Sequence, residues 1–369
     1  MNLYVLTSNP HGLRDKMFEV DRDRAQTLRA PNNIYWSELK LALGRLGVTV
    51  HTFDLWNKEV ARPDDILLVM NHPGETFFWR ALYFLKSLRD RGGHMLRRRK
   101  FLRENYGYFG KRILIQIEPW VVHPYVYKDL EVIRASGIYT KIFIHSRGYG
   151  DAYEFFDYFQ YWNRSILSPV FDAPKTKFLA LLNGNVAPHA LSVKIAGERF
   201  RELYGERLRA IKYFSAVPGF DLYGWRWDQR PRHPLRLHYG KHARRAWRGA
   251  PEDKAKTLSE YTFSICFENC EVPGWISEKI YDCFAAGSIP VYLGAPDITS
   301  YVPAACFIDF RKFADPRGVF TTKSYEKLNE FLSSRTDGEL QQYREAIRSF
   351  LLSRTEGKGI DDFAQELLK

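Results

Sequence analysis

Short apolar runs alternate with stretches of helical spacing along most of this chain, and polar residues collect where the two meet. Tyr4-Val5-Leu6 opens the series, and Tyr35 to Leu46 repeats apolar positions at helical spacing before stopping at Gly47. Val48 to Phe53 reads as a strand, then Asp65 to Met70, then a helix from about Thr76 to Arg91, with further strands at Arg112 to Ile117 and Lys141 to His145. This alternation predicts an α/β fold with a doubly wound, mostly parallel sheet. Gly148 to Pro174 is rich in aromatics and has no clean period, so the domain boundary is placed there. Beyond it come a strand at Phe178 to Leu182, a long helix from about Ala190 to Tyr213 interrupted near Gly205, and a short strand at Phe220 to Gly224. We therefore expect an N-terminal domain over residues 1–165, a second over 166–345, and a helical tail over 346–369.

The densest patterning lies between Phe263 and Ile298. Phe263 to Phe267 is an apolar strand, and Glu268 and Asn269 break into a Pro273-Gly274 turn. Ser277-Glu278-Lys279 opens a helix that Gly287 ends, and Ile289 to Leu293 returns as a strand. This is a βαβ unit with its polar residues at the strand-to-helix turn, the edge of an open α/β sheet where ligands bind. Ser277 and Glu278 suit a capped first turn, but the charge of Lys279 opposes the helix dipole there unless an anion offsets it. A diphosphate would do so, since helix N-termini favour phosphate. Glu268 and Asn269 could hydrogen-bond sugar hydroxyls or serve as turn caps.

Composition narrows the class. The chain has 369 residues and 45% apolar content, enough for two folded cores. No stretch approaches twenty uncharged apolar residues, so no membrane-spanning helix is expected. The opening MNLYVLTSNPHGLRDK lacks a signal peptide's apolar core and reads as a first strand. Cys266, Cys270, Cys283 and Cys306 show neither paired metal-ligand spacing nor a disulfide framework, which fits a reducing cytoplasm. The net charge of +12 concentrates in Arg89–Arg103 and in Arg226–Arg248, the latter interleaved with Trp227, Tyr239 and Trp247. These runs are either solvated faces or a peripheral attachment to an anionic membrane surface. No nucleic-acid recognition module accompanies them, so a nucleic-acid partner is not expected.

One resemblance is specific. The pattern F-x-x-x-F-E-N-x…G-[YW]-[IV]-[ST]-E-K-[IL]…G-x-[IV]-P-[VI]-Y-x-G is similar to that of the alpha-1,3/1,4-fucosyltransferase family. Here it is carried by Phe263, Phe267, Glu268, Asn269, Gly274, Trp275, Ile276, Ser277, Glu278, Lys279 and Ile280, then Gly287, Ile289 to Tyr292, and Gly294. Leu181 to Asn185, Arg207 to Phe214 and Asp221-Leu222-Tyr223-Gly224 resemble the family's upstream strands and arginine helix. The resemblance implies a GT-B fold: two Rossmann-like domains across a cleft, with GDP-fucose on the C-terminal one and a glycan acceptor on the other. It implies that Lys279 and Arg207 hold the diphosphate, with Arg209 the rival to Arg207. It further implies that Glu278 bonds the ribose and that Asn269 and Trp275 line the donor pocket, beside Glu268 and Ser277. The family inverts the anomeric centre by direct displacement, so a base is needed. Glu118, at the end of the strand Ile113–Ile117, is the choice, and His123 is second. Cationic side chains would make a metal dispensable, and Asp21-Arg22-Asp23 reads as a loop cap. Cys270 and Trp275 depart from the commonest residues of the pattern and leave the donor sugar open. A transferase of another nucleotide sugar, or a non-catalytic glycan- or nucleotide-binding protein, are the alternatives.

Overall fold

A computed structural model of the chain describes residues 1–19, 31–73, 92–150, 153–155, 168–186, 188, 200–228, 243–354 and 359–369. Two parallel sheets form its framework, the α/β class that the alternating pattern led us to expect. In the first, β1 (Asn2–Leu6), β2 (Thr49–Thr52), β3 (Ile66–Met70), β4 (Lys111–Gln116), β5 (Lys141–Ile144) and β6 (Glu154–Phe155) lie in the order β2-β1-β3-β4-β5-β6. Every neighbouring pair is parallel. All five residues of β3 are buried, as a strand covered on both faces requires, which is why it reads as an unbroken apolar run. Helix α1 (Pro31–Arg45) covers this sheet, as do α2 (Gly92–Asn105), α3 (Pro124–Lys128) and α4 (Leu130–Ala135).

The second sheet holds β7 (Lys177–Leu182), β9 (Phe220–Tyr223), β10 (Tyr261–Phe267), β12 (Ile289–Leu293) and β13 (Ile308–Asp309), in the order β13-β12-β10-β7-β9. A small antiparallel pair stands apart from it, β8 (Arg201–Glu202) with β11 (Cys270–Glu271). Its helices are α5 (Tyr204–Phe214), α6 (Lys254–Ser259), α7 (Glu278–Ala285), α8 (Thr322–Ser333), α9 (Asp337–Ser353) and α10 (Ile360–Leu368). Strand order reverses between β7 and β10, and that switch point is where a crevice opens at the strand ends of such a sheet.

Two expectations change, and others fall outside the described residues. The helix foreseen from Ala190 begins at Tyr204 among the described residues, because Arg201 and Glu202 pair with Glu271 and Cys270 as a strand instead. The residues foreseen as helix 76–91, the Asp21-Arg22-Asp23 motif and Tyr239 lie outside the described residues. The tail does not start at 346: α9 runs unbroken from Asp337, where the Thr336 hydroxyl and Glu339 carboxylate form a capping box.

The last helix, α10, leaves the second sheet and packs on the first. The Phe363 ring lies 6.4 Å from that of Tyr35 and 6.2 Å from that of Phe143. Lys141 Nζ meets Glu366 at 2.7 Å, and Lys111 Nζ donates to the Leu368 carbonyl at 2.6 Å.

The basic run also turns out differently. Arg98 is fully buried and donates to the carbonyls of Leu6, Met70 and Asn71, and His94 is buried against the Thr7 carbonyl. In the second run, the Trp227 indole donates to Asn183 O at 2.8 Å and the Trp247 indole to Gly224 O at 3.0 Å. These groups tie strand ends together, so they do not belong to a solvated face.

Phe363→Ala should lower the unfolding free energy by about 3–5 kcal/mol, the usual loss for a buried phenylalanine. Denaturant titration checks this, and a loss below about 1 kcal/mol would mean α10 is not integral to the first sheet.

Candidate functional site

A cavity of about 510 Å³ opens at the β7/β10 switch point. Its walls come from three strand ends and two helix starts: Asn183 and Gly184 after β7, Tyr223 ending β9 with Gly224 after it, Asn269 after β10, Lys254 opening α6, and Glu278 and Lys279 opening α7. Gly224 is required by this geometry. Its φ is +138°, and a Cβ there would stand 1.9 Å from the Asn183 carbonyl oxygen.

Arg207 enters from α5, buried to 5% exposure. Its Nε donates to Phe267 O at 2.9 Å and its Nη2 to Asn269 Oδ1 at 2.7 Å, with the guanidinium 5.0 Å over the Tyr204 ring. Arg209, two residues on, is half exposed and paired to Glu206, so Arg207 is the arginine of the cavity. Lys279 Nζ donates to Ser277 Oγ at 2.8 Å and meets Glu268 Oε2 at 3.3 Å. Ser277 caps α7, its Oγ accepting from Lys279 N. Glu268 is fully buried, and its carboxylate accepts from both the backbone N–H and the hydroxyl of Ser277 at 2.7 Å.

Glu268 and Ser277 therefore work beneath the cavity, where they aim Lys279; Glu268 is fully buried and does not line the cavity, unlike the sugar-facing position foreseen for it. Trp275 also differs from expectation. Its indole is buried with Trp120, Val121, Tyr204, Cys270 and Val272 between the two sheets and does not line the cavity. Arg207, Asn269, Glu278 and Lys279 do line it.

Lys254 was not foreseen. It pairs with the buried Asp282 one helical turn beyond Glu278, and it lines the cavity. Burial works against its ammonium charge, but Asp282 and Glu278 more than offset this and hold it cationic. The charge-rich stretch Pro251-Glu252-Asp253-Lys254 resembles a solvated turn, and only Asp253 as a helix cap hints at its place. Burial alone would lift the Glu278 carboxyl, but Lys279, Lys254 and Arg207 hold it down at about 2. Arg207, Lys254 and Lys279 thus line one cavity with Glu278, while Asn269, Asp282 and Glu268 hold the three cations in place around a space that suits an anionic ligand.

Glu118 stands just beyond β4 on the other sheet. Its backbone is fixed by three groups: its N–H donates to Asn71 Oδ1 at 3.0 Å, and its carbonyl accepts from Gln116 Nε2 at 3.0 Å and Tyr127 OH at 2.9 Å. Asn71 sits at φ 54°, a left-handed position that asparagine tolerates. Burial, then the charge of Glu278, raises the Glu118 carboxyl to about 7, against a smaller lowering by Lys279. The Glu118 carboxyl and the cation cluster therefore share one electrostatic field. His123, the second candidate, contacts Gln116 at 3.4 Å and is pushed down to about 4 by burial and the Arg98 charge, which leaves it the poorer proton acceptor.

Fold and site together define a two-sheet α/β protein with a cation-lined cleft at the strand ends of its second sheet. Comparison with known proteins finds similarity concentrated in the second half of the chain. Residues 233–333 match the model described as glycosyltransferase family 10 (fucosyltransferase), C-terminal. An alpha-(1,3)-fucosyltransferase of Helicobacter pylori is 35% identical over 65 residues, which are 17% of this chain and 14% of that protein. The 4-galactosyl-N-acetylglucosaminide 3-alpha-L-fucosyltransferase 9 of Mus musculus is 40% identical over 62 residues, 16% of this chain and 17% of that one. The chain thus spans about a sixth of the length of these curated relatives. A solved alpha1,3-fucosyltransferase with GDP aligns over 98% of this chain and 92% of that one, with 12% identity and a TM-score of 0.46.

The electrostatic arrangement sets a signed expectation. The Glu118 carboxyl, followed by NMR titration, should titrate near 7, move down in Glu278→Gln and move up in Lys279→Met. Shifts of the opposite sign would show that Glu118 does not sense the cation cluster.

Proposed function

We propose that the protein is an inverting glycosyltransferase that moves fucose from GDP-fucose to a hydroxyl of a GlcNAc or glucose unit of a glycan, in α-1,3 or α-1,4 linkage. The observation that carries this is the convergence of Arg207, Lys254 and Lys279 on one cavity, with a carboxyl poised near neutral pH on the facing sheet. As the bond to the anomeric carbon breaks, negative charge grows on the departing GDP, and the three fixed cations stabilise it most where it is greatest. They provide the charge compensation that a divalent metal gives other transferases. Glu278, kept ionised, accepts a hydrogen bond from a ribose hydroxyl, and Asn269 faces the same nucleotide. Glu118 takes the proton from the acceptor hydroxyl as that oxygen attacks the opposite face of the sugar, which inverts the anomeric centre. The family relationship of residues 233–333 supports fucose as the sugar.

Among the described residues of the first basic run, one face could meet an anionic membrane surface, while residues 229–242 of the second run lie outside the described residues. On and after α2, Arg97, Lys100 and Arg103 are exposed beside exposed Tyr106 and Tyr108. We assign this face a peripheral contact with the cytoplasmic leaflet, where a lipid-linked acceptor would be presented.

Calorimetry should show GDP-fucose binding, weakened at least tenfold in Lys279→Ala and Lys254→Ala; binding of a different nucleotide sugar in its place would reassign the donor. Glu118→Gln should retain GDP binding and lose about 10²- to 10⁴-fold in turnover, the range for a general base. Wild-type turnover should rise with pH through about 7 as Glu118 ionises, and that limb should vanish in Glu118→Gln. Vesicles with anionic lipid should retain the protein at low salt and release Arg97→Glu/Lys100→Glu/Arg103→Glu; equal retention would leave that face solvated.

A further inference from the structure

The motif segment between β11 and α7 (residues 272–277) leads directly into Glu278 and Lys279, yet its contacts are largely with the other sheet. His145, just past β5 and fully buried, meets the Ile276 carbonyl through Nε2 at 3.1 Å. Because the partner is a carbonyl, Nε2 must carry the proton. Arg147 N donates to Pro273 O at 2.7 Å, and the Trp275 indole reaches Ile117 O at 3.4 Å.

Steric evidence agrees. Gly274 has φ +71°, and a Cβ there would stand 2.7 Å from Phe155 Cε2 and 3.1 Å from Arg147 Cγ. The glycine of the motif is therefore needed where the first sheet presses on the loop. Gly274 N donates to Asp297 Oδ1 at 2.8 Å on the second-sheet side. The groups stitched to this loop adjoin the ones that hold Glu118. Asn71 Oδ1 accepts from both Ile117 N and Glu118 N, and His145 N donates to Gln116 O, whose side chain in turn bonds Glu118 O.

We propose that residues 272–277 couple the base to the donor cations, and that His145 is the positioning residue that sets their separation across the cleft. The inference rests on the transferase reading, because only a reaction that brings both sides together needs a fixed separation. His145 touches no reacting atom; it acts through Ile276 and, beyond it, Lys279. Misplacement of reacting groups by about 1 Å can slow a reaction on the order of 100-fold without weakening ground-state binding.

The test uses the full chain. Wild-type GDP binding and fucosyl transfer are measured first; failure of either overturns the transferase reading and not the coupling. His145→Leu should then lower kcat about 10- to 100-fold while the GDP Kd stays within about twofold. His145→Gln, whose amide nitrogen can replace Nε2, should restore most of the rate, which a purely structural role would not require. Trp275→Phe, a milder change that keeps an aromatic ring of smaller size and removes the N–H, should slow kcat severalfold at unchanged GDP affinity. Hydrogen exchange should accelerate together at residues 116–118 and 273–279 in His145→Leu, a readout that needs no substrate. Unchanged kcat in folded His145→Leu, a parallel loss of GDP affinity, or faster exchange on one side alone would overturn the proposal.

Discussion

The buried carboxylate of Glu268 is the contact on which the site depends. It ends β10, and both its oxygens are taken by the first turn of a helix nine residues further on: Ser277 N–H, Ser277 hydroxyl and the Lys279 ammonium. A buried carboxylate is tolerated only when its acceptors are satisfied, and here they are filled by the groups that must be aimed. The space around it is correspondingly tight. A Cβ at Gly294 would lie 2.4 Å from Glu268 Cγ, so the glycine after β12 belongs to the same unit. The spacing E-N…S-E-K…G is thus one piece of packing: a strand end, a helix cap, an ammonium and the gap that admits them.

From that unit follows a separation of charge states. Glu278 and Glu118 are the same residue type and Glu118 senses the charge of Glu278, yet one carboxyl is held at about 2 and the other lifted to about 7. Burial acts in the same direction on both. The difference is that Glu278 stands among Lys279, Lys254 and Arg207, whereas Glu118 receives mainly the repulsion of Glu278 itself. The carboxylate kept ionised by the cations is therefore one cause of the neighbour's readiness to hold a proton. Divergent environments around paired carboxyls are a common way to assign acid and base roles in one site.

Much of this was legible where local rules decide the outcome. β3 reads as five apolar residues because both its faces are covered, and Ser277 reads as a cap because a helix start must satisfy its N–H groups. What stayed hidden depends on partners distant in sequence. Arg98 lies in a run of like charges, and nothing local tells that three carbonyls of the first sheet will take it inside. Trp227 and Trp247 read as interfacial aromatics until the strand ends that accept their N–H groups are known. Glu268 reads as ligand-facing until Ser277 fills it. Lys254 has no motif of its own, since its meaning comes from Asp282 across an intervening strand.

The relation between the sheets follows from two ties on the same pair of strands. At the amino ends of β4 and β5, Lys111 and Lys141 are bonded to Leu368 and Glu366 of α10. Just past the carboxyl ends of those strands, Ile117 and His145 are bonded to Trp275 and Ile276. Each strand is only four to six residues long, so the chain of the second sheet grips both ends over about 13–20 Å. Single exposed ion pairs contribute little to such a grip, and the Phe363 ring and the Trp275 cluster supply the apolar burial. A body held at two ends of one element resists rotation as well as separation. Glu118, at the end of β4, is thereby fixed with respect to α7 in distance and in direction, and a proton acceptor needs both.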